Sequence, residues 1–202
     1  MGRAADGVAG PRRVGIFGGT FDPPHDGHVS AARDVAAALD LDEILWVPVG
    51  EPPHKPNTGL TPAPLRLAMV EAVAALDPCF RVADLEMRRT GPSYTVDTLR
   101  EVRAEADVGD ADLFLIMGID QYDVLDSWRA PEEILVLAQL AVMDRGGESV
   151  PSPPDGVVSV PVRRIDISST DVRARVRDGR DVSDLVPPAV ARIIEAEGLY
   201  RA

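Results

Sequence analysis

The chain has 202 residues, of which 45% are hydrophobic and 27% charged, as in globular proteins with a substantial buried core. Its formal net charge of -12 argues against a broad nucleic-acid-binding surface, because a polyanionic partner would meet a repulsive field. The single cysteine, Cys79, excludes an intramolecular disulfide and a cysteine-based zinc site, and it fits the reducing cytoplasm.

The first residues differ in character from the rest of the chain. Residues 1–12 lack the apolar segment of a signal peptide, and we expect a flexible tail there. Residues 13–202 show no internal repeat and no change of composition, which predicts a single domain. No segment approaches the ~20 apolar residues of a membrane-spanning helix, so we expect no membrane partner.

Hydrophobic periodicity predicts strands that alternate with helices. The predicted strands are residues 14–18, 43–49, 80–87, 112–118, 139–145 and 157–162. The predicted helices are residues 28–39, 65–76, 94–106 (capped by Ser93), 169–178 and 187–197, with a short helical stretch ending near Leu137. This alternation predicts an α/β fold with a doubly wound, mostly parallel sheet and helices on both faces. Ligands of such sheets bind beyond the carboxyl ends of the strands.

The end of the first predicted strand carries an unusual motif, GGTFDPPHDGH. Gly18 and Gly19 let backbone N–H groups approach an anion, and the following helix adds its positive amino terminus. His25 on the turn and His28 in the first helical turn can both face one ligand. Imidazoles donate hydrogen bonds to phosphate oxygens, so the motif predicts a phosphate-binding turn.

Other kinds of binding site fit this motif less well. Residues 15–20 read GIFGGT, which is not the dinucleotide-binding pattern G-x-G-x-x-G, and the G-K-[ST] of a P-loop is missing. The two histidines could form a metal pair, but no cysteine or third histidine lies nearby in the sequence. Exposed histidines at an ordinary helix start are the plain structural alternative.

Two further stretches carry phosphate-binding chemistry. In RIDISSTDVRARVRDGR, Ser169 or Thr170 is predicted to cap a helix, and Arg173 follows one turn later. The stretch PVGEPPHKP contains the third histidine, His54, and the only lysine, Lys55. An ordinary capped helix and a plain surface loop are the respective alternatives.

These motifs occur in a fixed order together with GPSYTVDTL and a Gly118-x-Asp120 pair followed by Trp128. In this order they resemble the bacterial nicotinate-nucleotide adenylyltransferase family of the HxGH nucleotidyltransferase superfamily. The resemblance extends from about Arg13 to Tyr200. It implies a Rossmann-like version of the predicted doubly wound sheet.

The resemblance also implies an activity. The enzyme would transfer an adenylyl group from ATP to nicotinate mononucleotide with Mg²⁺, giving nicotinate adenine dinucleotide and pyrophosphate for NAD biosynthesis. The implied catalytic residues are His25, His28, Lys55 and Arg173. The implied ATP-binding residues are Gly18, Gly19, Thr20, Phe21, His25, His28, Asp120, Ser169, Thr170 and Arg173. The implied acceptor-binding residues are His54, Lys55, Thr95, Trp128 and Arg129, with the Trp128 indole stacked on the pyridine ring.

This reaction needs no nucleophile from the protein, and we expect His28 to act as an electrostatic donor. The implied partners are the two small-molecule substrates, and a homo-oligomer is compatible with the sequence. Close alternatives are the same transfer to nicotinamide mononucleotide or to another phosphorylated acceptor such as phosphopantetheine. Two alternatives belong to other functional classes. One is an NAD-binding protein that uses Asp40 or Asp42 to bind the ribose, and the other is a catalytically inactive nucleotide sensor.

Overall fold

The computed structural model describes residues 10–52, 59–105, 107–108, 110–144 and 153–201. Within these residues, six strands form one sheet in the order β3-β2-β1-β4-β5-β6. The strands are β1 (Arg13–Gly19), β2 (Glu43–Pro48), β3 (Phe80–Val82), β4 (Asp112–Gly118), β5 (Gln139–Asp144) and β6 (Val157–Pro161). All neighbouring strands pair in parallel, as the sequence predicts.

Strand β1 lies at the centre of the sheet between β2 and β4. Phe17 is in register with Trp46 on one side and with Ile116 on the other. The chain therefore winds outward from β1 to β3, crosses back to β4, and winds outward again to β6. The carboxyl ends of β1 and β4 diverge at this reversal, which is where open α/β sheets form their binding crevice.

The helices follow the predicted alternation. They are α1 (Asp26–Ala38), α2 (Ala63–Ala74), α3 (Leu85–Arg88), α4 (Thr95–Ala104), α5 (Ile119–Tyr122), α6 (Pro131–Leu137), α7 (Ser169–Arg177) and α8 (Pro188–Ala196), with a 3₁₀ turn at Leu125–Ser127. None of the helices described is long and apolar enough to span a membrane.

Alternating side chains of the strands build a core on each face of the sheet. In β4, Phe114 and Ile116 belong to one core cluster, whereas Leu113 and Leu115 belong to the other. The first cluster includes buried residues of α1, α2, α7 and α8, and the second includes buried residues of α4 and α6. Because both faces are covered, the strands read as nearly continuous apolar runs.

Three local predictions are wrong. The strand predicted over residues 80–87 ends at Val82, and Leu85–Arg88 is a helical turn, which buries Glu86 against Thr98. Tyr94, and not Ser93, is the N-cap of α4. The cap of α7 is Ser168, whose hydroxyl accepts from Asp171 N–H at 3.1 Å while the Asp171 carboxylate accepts the Ser168 N–H at 3.1 Å. This reciprocal pair satisfies helix-end N–H groups and starts the helix at Ser169.

One boundary shift concerns the histidine motif. Helix α1 begins at Asp26, two residues before the predicted start, and His25 is its N-cap. His28 therefore lies at the third helical position, within the first turn, as expected for a side chain near the helix amino terminus.

A buried guanidinium joins the segments at the carboxyl edge of the sheet. Arg66 of α2 is 2% exposed and donates only to backbone carbonyls in its described hydrogen bonds. Nη1 bonds the carbonyls of Thr20 (3.0 Å) and Val49 (2.7 Å), Nη2 that of Gly50 (3.2 Å), and Nε that of Thr61 (3.0 Å). Burial lowers the pKa of Arg66, and the Asp22 carboxylate opposes this effect. The guanidinium stays charged, because an arginine pKa begins far above neutral pH.

We predict that Arg66→Met destabilises the protein by about 3 kcal/mol, because it leaves four buried or partly buried carbonyls without this donor. Arg192→Met on α8 is the matched control, since Arg192 is exposed, and it should cost less than about 0.5 kcal/mol. Urea denaturation of both variants measures the difference. Equal stabilities of the two variants would contradict the role assigned to Arg66.

Candidate functional site

The turn between β1 and α1 brings the two predicted histidines together. The imidazole rings of His25 and His28 lie 3.7 Å apart between centroids, with 30° between their planes. The backbone N–H of His25 donates to Nδ1 of His28 at 3.2 Å. Because Nδ1 accepts this bond, neutral His28 carries its proton on Nε2 and can donate from there.

Helix α7 docks onto the same turn. Arg173 donates from Nη1 to the carbonyl of Asp22 at 2.7 Å and from Nη2 to the Thr170 hydroxyl at 3.1 Å. The Ser169 hydroxyl donates to the carbonyl of Pro23 at 2.8 Å. The structure therefore brings the histidine motif and the Ser-Thr-Arg motif together, although many residues separate them in the sequence.

A cavity of about 500 Å³ opens beside this turn at the reversal between β1 and β4. The glycine turn forms one wall, and the residues around the start of α4 and the loop after the 3₁₀ turn form the other. Among the predicted site residues, the cavity is lined by Gly18, Gly19, Thr20, Thr95, Trp128 and Arg129. Residues from the predicted ATP set and the predicted acceptor set thus share one cavity, whose volume suits small-molecule ligands.

The far wall of the cavity is aromatic and carries a positive charge. The Arg129 guanidinium lies 4.7 Å from the centroid of the Tyr94 ring, and Nη1 of Arg129 lies 3.6 Å from the Asp97 carboxylate. Trp128 is partly buried against the second core cluster and lines the same wall. Such a wall can stack on a flat ring and attract an anionic group.

The remaining predicted residues have different positions. Phe21 is 2% exposed and packs against Trp46 and His28, with ring centroids 5.2 and 5.3 Å away. It therefore packs the turn against the hydrophobic core. Asp120 lies on α5, directly after β4, and does not line the cavity. His54 and Lys55 lie outside the described residues.

Gly18 has a specific reason to lack a side chain. A Cβ built on it would meet no described atom beyond its chain neighbours within 4 Å. Packing therefore does not require a glycine at this position. What the missing side chain provides is an open backbone at the rim of the cavity, which a ligand can approach closely.

Several residues that line the cavity are not predicted as site residues from the sequence, including Glu86, Ser93 and Gln121. Glu86 is not predicted as a site residue because apolar and polar residues alternate in its segment, which is typical of a strand. A Cβ on Gly50 would overlap the Glu86 carbonyl, so the glycine allows the end of β2 to lie against α3. This contact brings Glu86 to the cavity and has no recognisable signature in the sequence.

Glu86 is a buried carboxyl group beside the cavity. It is 8% exposed, and Oε1 accepts a hydrogen bond from the Thr98 hydroxyl at 2.6 Å. Burial raises the pKa of Glu86, while the Thr98 bond and the charge of Arg89 oppose the rise. The folded protein consequently holds a proton on Glu86 at pH values where the unfolded chain has released it.

The raised pKa gives a stability prediction. As pH rises above the ordinary glutamate value of 4.5, Glu86 should lower the free energy of unfolding until it is fully ionised in the folded state. Glu86→Gln cannot ionise and keeps an oxygen for Thr98. Its stability relative to wild type should therefore increase through this window and then level off.

Urea denaturation from about pH 4 to about pH 8 measures this difference. Glu195→Gln on the exposed surface of α8 controls for the removal of one carboxylate. A stability difference for Glu86→Gln that does not change with pH would contradict the assignment.

The proposed ribose-binding role of Asp40 or Asp42 in an NAD-binding protein finds no support in the geometry. Both residues precede β2 and lie at the amino edge of the sheet, opposite the cavity. The Asp42 carboxylate accepts the backbone N–H of Arg13 at 2.8 Å, which fixes the start of β1.

The donor groups available for a metal ion are sparse. Among the described residues, no group of three or more histidine, cysteine, aspartate and glutamate side chains could hold a metal ion.

Comparison with known proteins finds a matching family model and relatives that share one name. A family model described as Cytidylyltransferase-like matches residues 16–175. A protein of Shouchella clausii named "Probable nicotinate-nucleotide adenylyltransferase" is 41% identical over 189 residues, covering 94% of this chain and 97% of the relative. A protein of the same name from Thermus thermophilus is 43% identical over 189 residues, covering 94% of this chain and 100% of the relative.

A solved structure shares the fold. The Plasmodium falciparum nicotinic acid mononucleotide adenylyltransferase complexed with NaAD matches with a TM-score of 0.76 at 20% sequence identity. The match covers 94% of this chain and 97% of that chain. It extends the likeness from the sequence motifs to the whole parallel sheet.

Proposed function

Because the chain belongs to the nicotinate-nucleotide adenylyltransferases within the cytidylyltransferase-like family, we propose that it transfers the adenylyl group of ATP to nicotinate mononucleotide. The products are nicotinate adenine dinucleotide and pyrophosphate, and the reaction is a step of NAD biosynthesis. One observation carries the proposal: a single cavity joins the glycine turn to the wall formed by Thr95, Trp128 and Arg129.

The reaction is an in-line displacement at phosphorus. A phosphate oxygen of nicotinate mononucleotide attacks the α-phosphorus of ATP and forms a new P–O bond, while the bond from the α-phosphorus to the bridging oxygen breaks. The leaving pyrophosphate takes that electron pair. Catalysis requires positioning of the two nucleotides and neutralisation of negative charge, without a covalent intermediate on the protein.

The ATP side is assigned to the turn and to α7. The backbone of Gly18 and Gly19 approaches the nucleotide, and Thr20 lies beside them on the cavity wall. His25, His28 and Arg173 stabilise the phosphates, with His28 donating from Nε2 because its Nδ1 is already an acceptor. Ser169 and Thr170 at the start of α7 supply hydroxyl groups, and Asp120 on α5 lies towards the adenosine.

The acceptor side is assigned to the opposite wall. The Trp128 indole stacks on the pyridine ring, and Thr95 at the start of α4 offers its hydroxyl and N–H. Arg129 adds positive charge on this wall for an anionic acceptor. His54 and Lys55 are proposed to contact the phosphates from the loop that follows β2.

Mg²⁺ is proposed as the metal of the reaction. When it is bound to the ATP phosphates, it neutralises part of their charge and favours the departure of pyrophosphate. We expect the enzyme to work in the cytoplasm, where ATP is abundant and where an unpaired cysteine such as Cys79 stays reduced.

The direct test is pyrophosphate release from Mg-ATP with nicotinate mononucleotide or nicotinamide mononucleotide as acceptor. We expect turnover with the nicotinate form and little with the nicotinamide form. His28→Ala should lower kcat by about 100-fold or more, as removal of a transition-state donor does elsewhere. Comparable use of both acceptors would extend the substrate range to nicotinamide mononucleotide. Nucleotide binding without turnover would instead favour a catalytically inactive nucleotide sensor. Near-normal turnover by His28→Ala would remove His28 from the mechanism.

A second prediction separates binding from stability at the glycine turn. Gly18→Ala should leave the free energy of unfolding within about 0.5 kcal/mol of wild type, because the new methyl group meets open space. The same methyl group should obstruct the nucleotide and raise the KM for ATP by about 10-fold or more. Thermal unfolding and steady-state kinetics measure the two effects. An unchanged KM for ATP would contradict close approach of ATP to Gly18.

A further inference from the structure

Asp22 lies in the turn between β1 and α1 and is 3% exposed. Its carboxylate accepts two hydrogen bonds from distant parts of the chain. Oδ1 accepts the Tyr200 hydroxyl at 2.6 Å, and Oδ2 accepts the backbone N–H of Thr61 at 3.2 Å. The Asp22 carbonyl accepts Arg173 at 2.7 Å, so one residue joins the turn to three other segments.

The Tyr200 hydroxyl is a permanent donor in this arrangement. Burial and the hydrogen bond to Asp22 raise the pKa of Tyr200, and these effects outweigh the opposite influence of Thr61. The phenol therefore remains protonated throughout the working pH range. A short bond to a carboxylate is among the stronger hydrogen bonds of proteins, so this contact can fix the position of Asp22.

Backbone conformation on both sides of the contact indicates a constrained arrangement. Phe21, which precedes Asp22, has φ of 48°, and Tyr200 has φ of 62°. Bulky residues rarely adopt this left-handed region, and they stay there only when their surroundings hold them. Phe21 packs against the ring of His28, so the turn, the Asp22 carboxylate and the histidine motif are linked by direct contacts.

We propose that Tyr200 and Asp22 are a pair of positioning residues for the ATP side of the site. The Tyr200 hydroxyl holds Asp22, and Asp22 in turn holds the Arg173 guanidinium and the turn that carries His25. This inference rests on the proposed function. Neither Tyr200 nor Asp22 lines the cavity. Both act through Arg173 and His25, which the proposed function assigns to the ATP phosphates.

The hydrogen bond between Tyr200 and Asp22 is linked to the ATP side of the site and not to the acceptor side. Asp22 bonds Arg173 of α7, whereas the acceptor wall is built from α4 and the Trp128 loop on the other side of the cavity. Loss of the Tyr200 hydroxyl should therefore weaken ATP binding and leave acceptor binding nearly unchanged.

Tyr200→Phe removes the hydroxyl and adds no volume. We expect the KM for ATP to rise about 3- to 10-fold, a size consistent with loss of part of a hydrogen bond to a charged group. The KM for nicotinate mononucleotide should stay within about 2-fold of wild type. Tyr122→Phe on α5, which makes the same chemical change away from the turn, is the matched control and should change neither constant.

A merely structural role gives a different result. A contact that only stabilises the fold would lower Tm and the active fraction, which reduces kcat and leaves the KM for ATP unchanged. That outcome, or an equal rise in both KM values, would overturn the proposal. If Tyr200→Phe does not fold, Asp22→Asn tests the same contact, because it keeps the shape and removes the charge that Tyr200 bonds.

A binding measurement separates this proposal from the proposed function. Calorimetry with an ATP analogue carrying a methylene bridge between the α- and β-phosphates reports affinity without turnover. If wild type turns over neither mononucleotide, the proposed function fails, yet weaker analogue binding by Tyr200→Phe would still support positioning. Equal analogue affinity of wild type and Tyr200→Phe would overturn the positioning role whatever the activity.

Discussion

The parallel pairing of β1 with both β2 and β4 sets the layout of the whole sheet and the position of its binding crevice. It places β1 at the centre of the sheet and forces the chain to wind outward in two opposite directions. The segments that follow β1 and β4 must therefore separate, and a cavity opens between them at the carboxyl edge. Every element proposed to contact a substrate meets at this edge because parallel strands end there together.

The turn after β1 is held largely by groups from other parts of the chain. Arg66 bonds the carbonyl of Thr20, Arg173 that of Asp22, and Tyr200 the carboxylate of Asp22. A glycine-rich segment loses much conformational freedom on folding, so such external bonds fix what the segment cannot fix alone. The geometry of the turn is thus a product of α2, α7 and the residues after α8 as much as of the motif itself.

Local charge differs from the charge of the whole chain. The formal net charge is -12, yet Arg66, Arg173, Arg129 and two histidines surround the turn and the cavity. Acidic groups elsewhere discourage unspecific polyanions, whereas the guanidinium groups at this concave site can attract an anionic ligand. Carboxylates lie here too, with Asp22 in the turn and Asp97 beside Arg129. Glu86 differs from them because burial favours its neutral form by raising its pKa.

The order of most strands and helices follows from the amino-acid sequence, because continuous apolar runs and helical spacing record burial on two faces. Its motifs also predicted a site that includes the turn with His25 and His28, the helix with Arg173, and Trp128. The folded chain alone reveals that Glu86 lies on a helical turn, that Arg66 is buried, and that Tyr200 bonds Asp22. Charged and phenolic side chains carry no local sign of burial. Their environment is set by contacts between segments far apart in the chain, which no periodicity or spacing records.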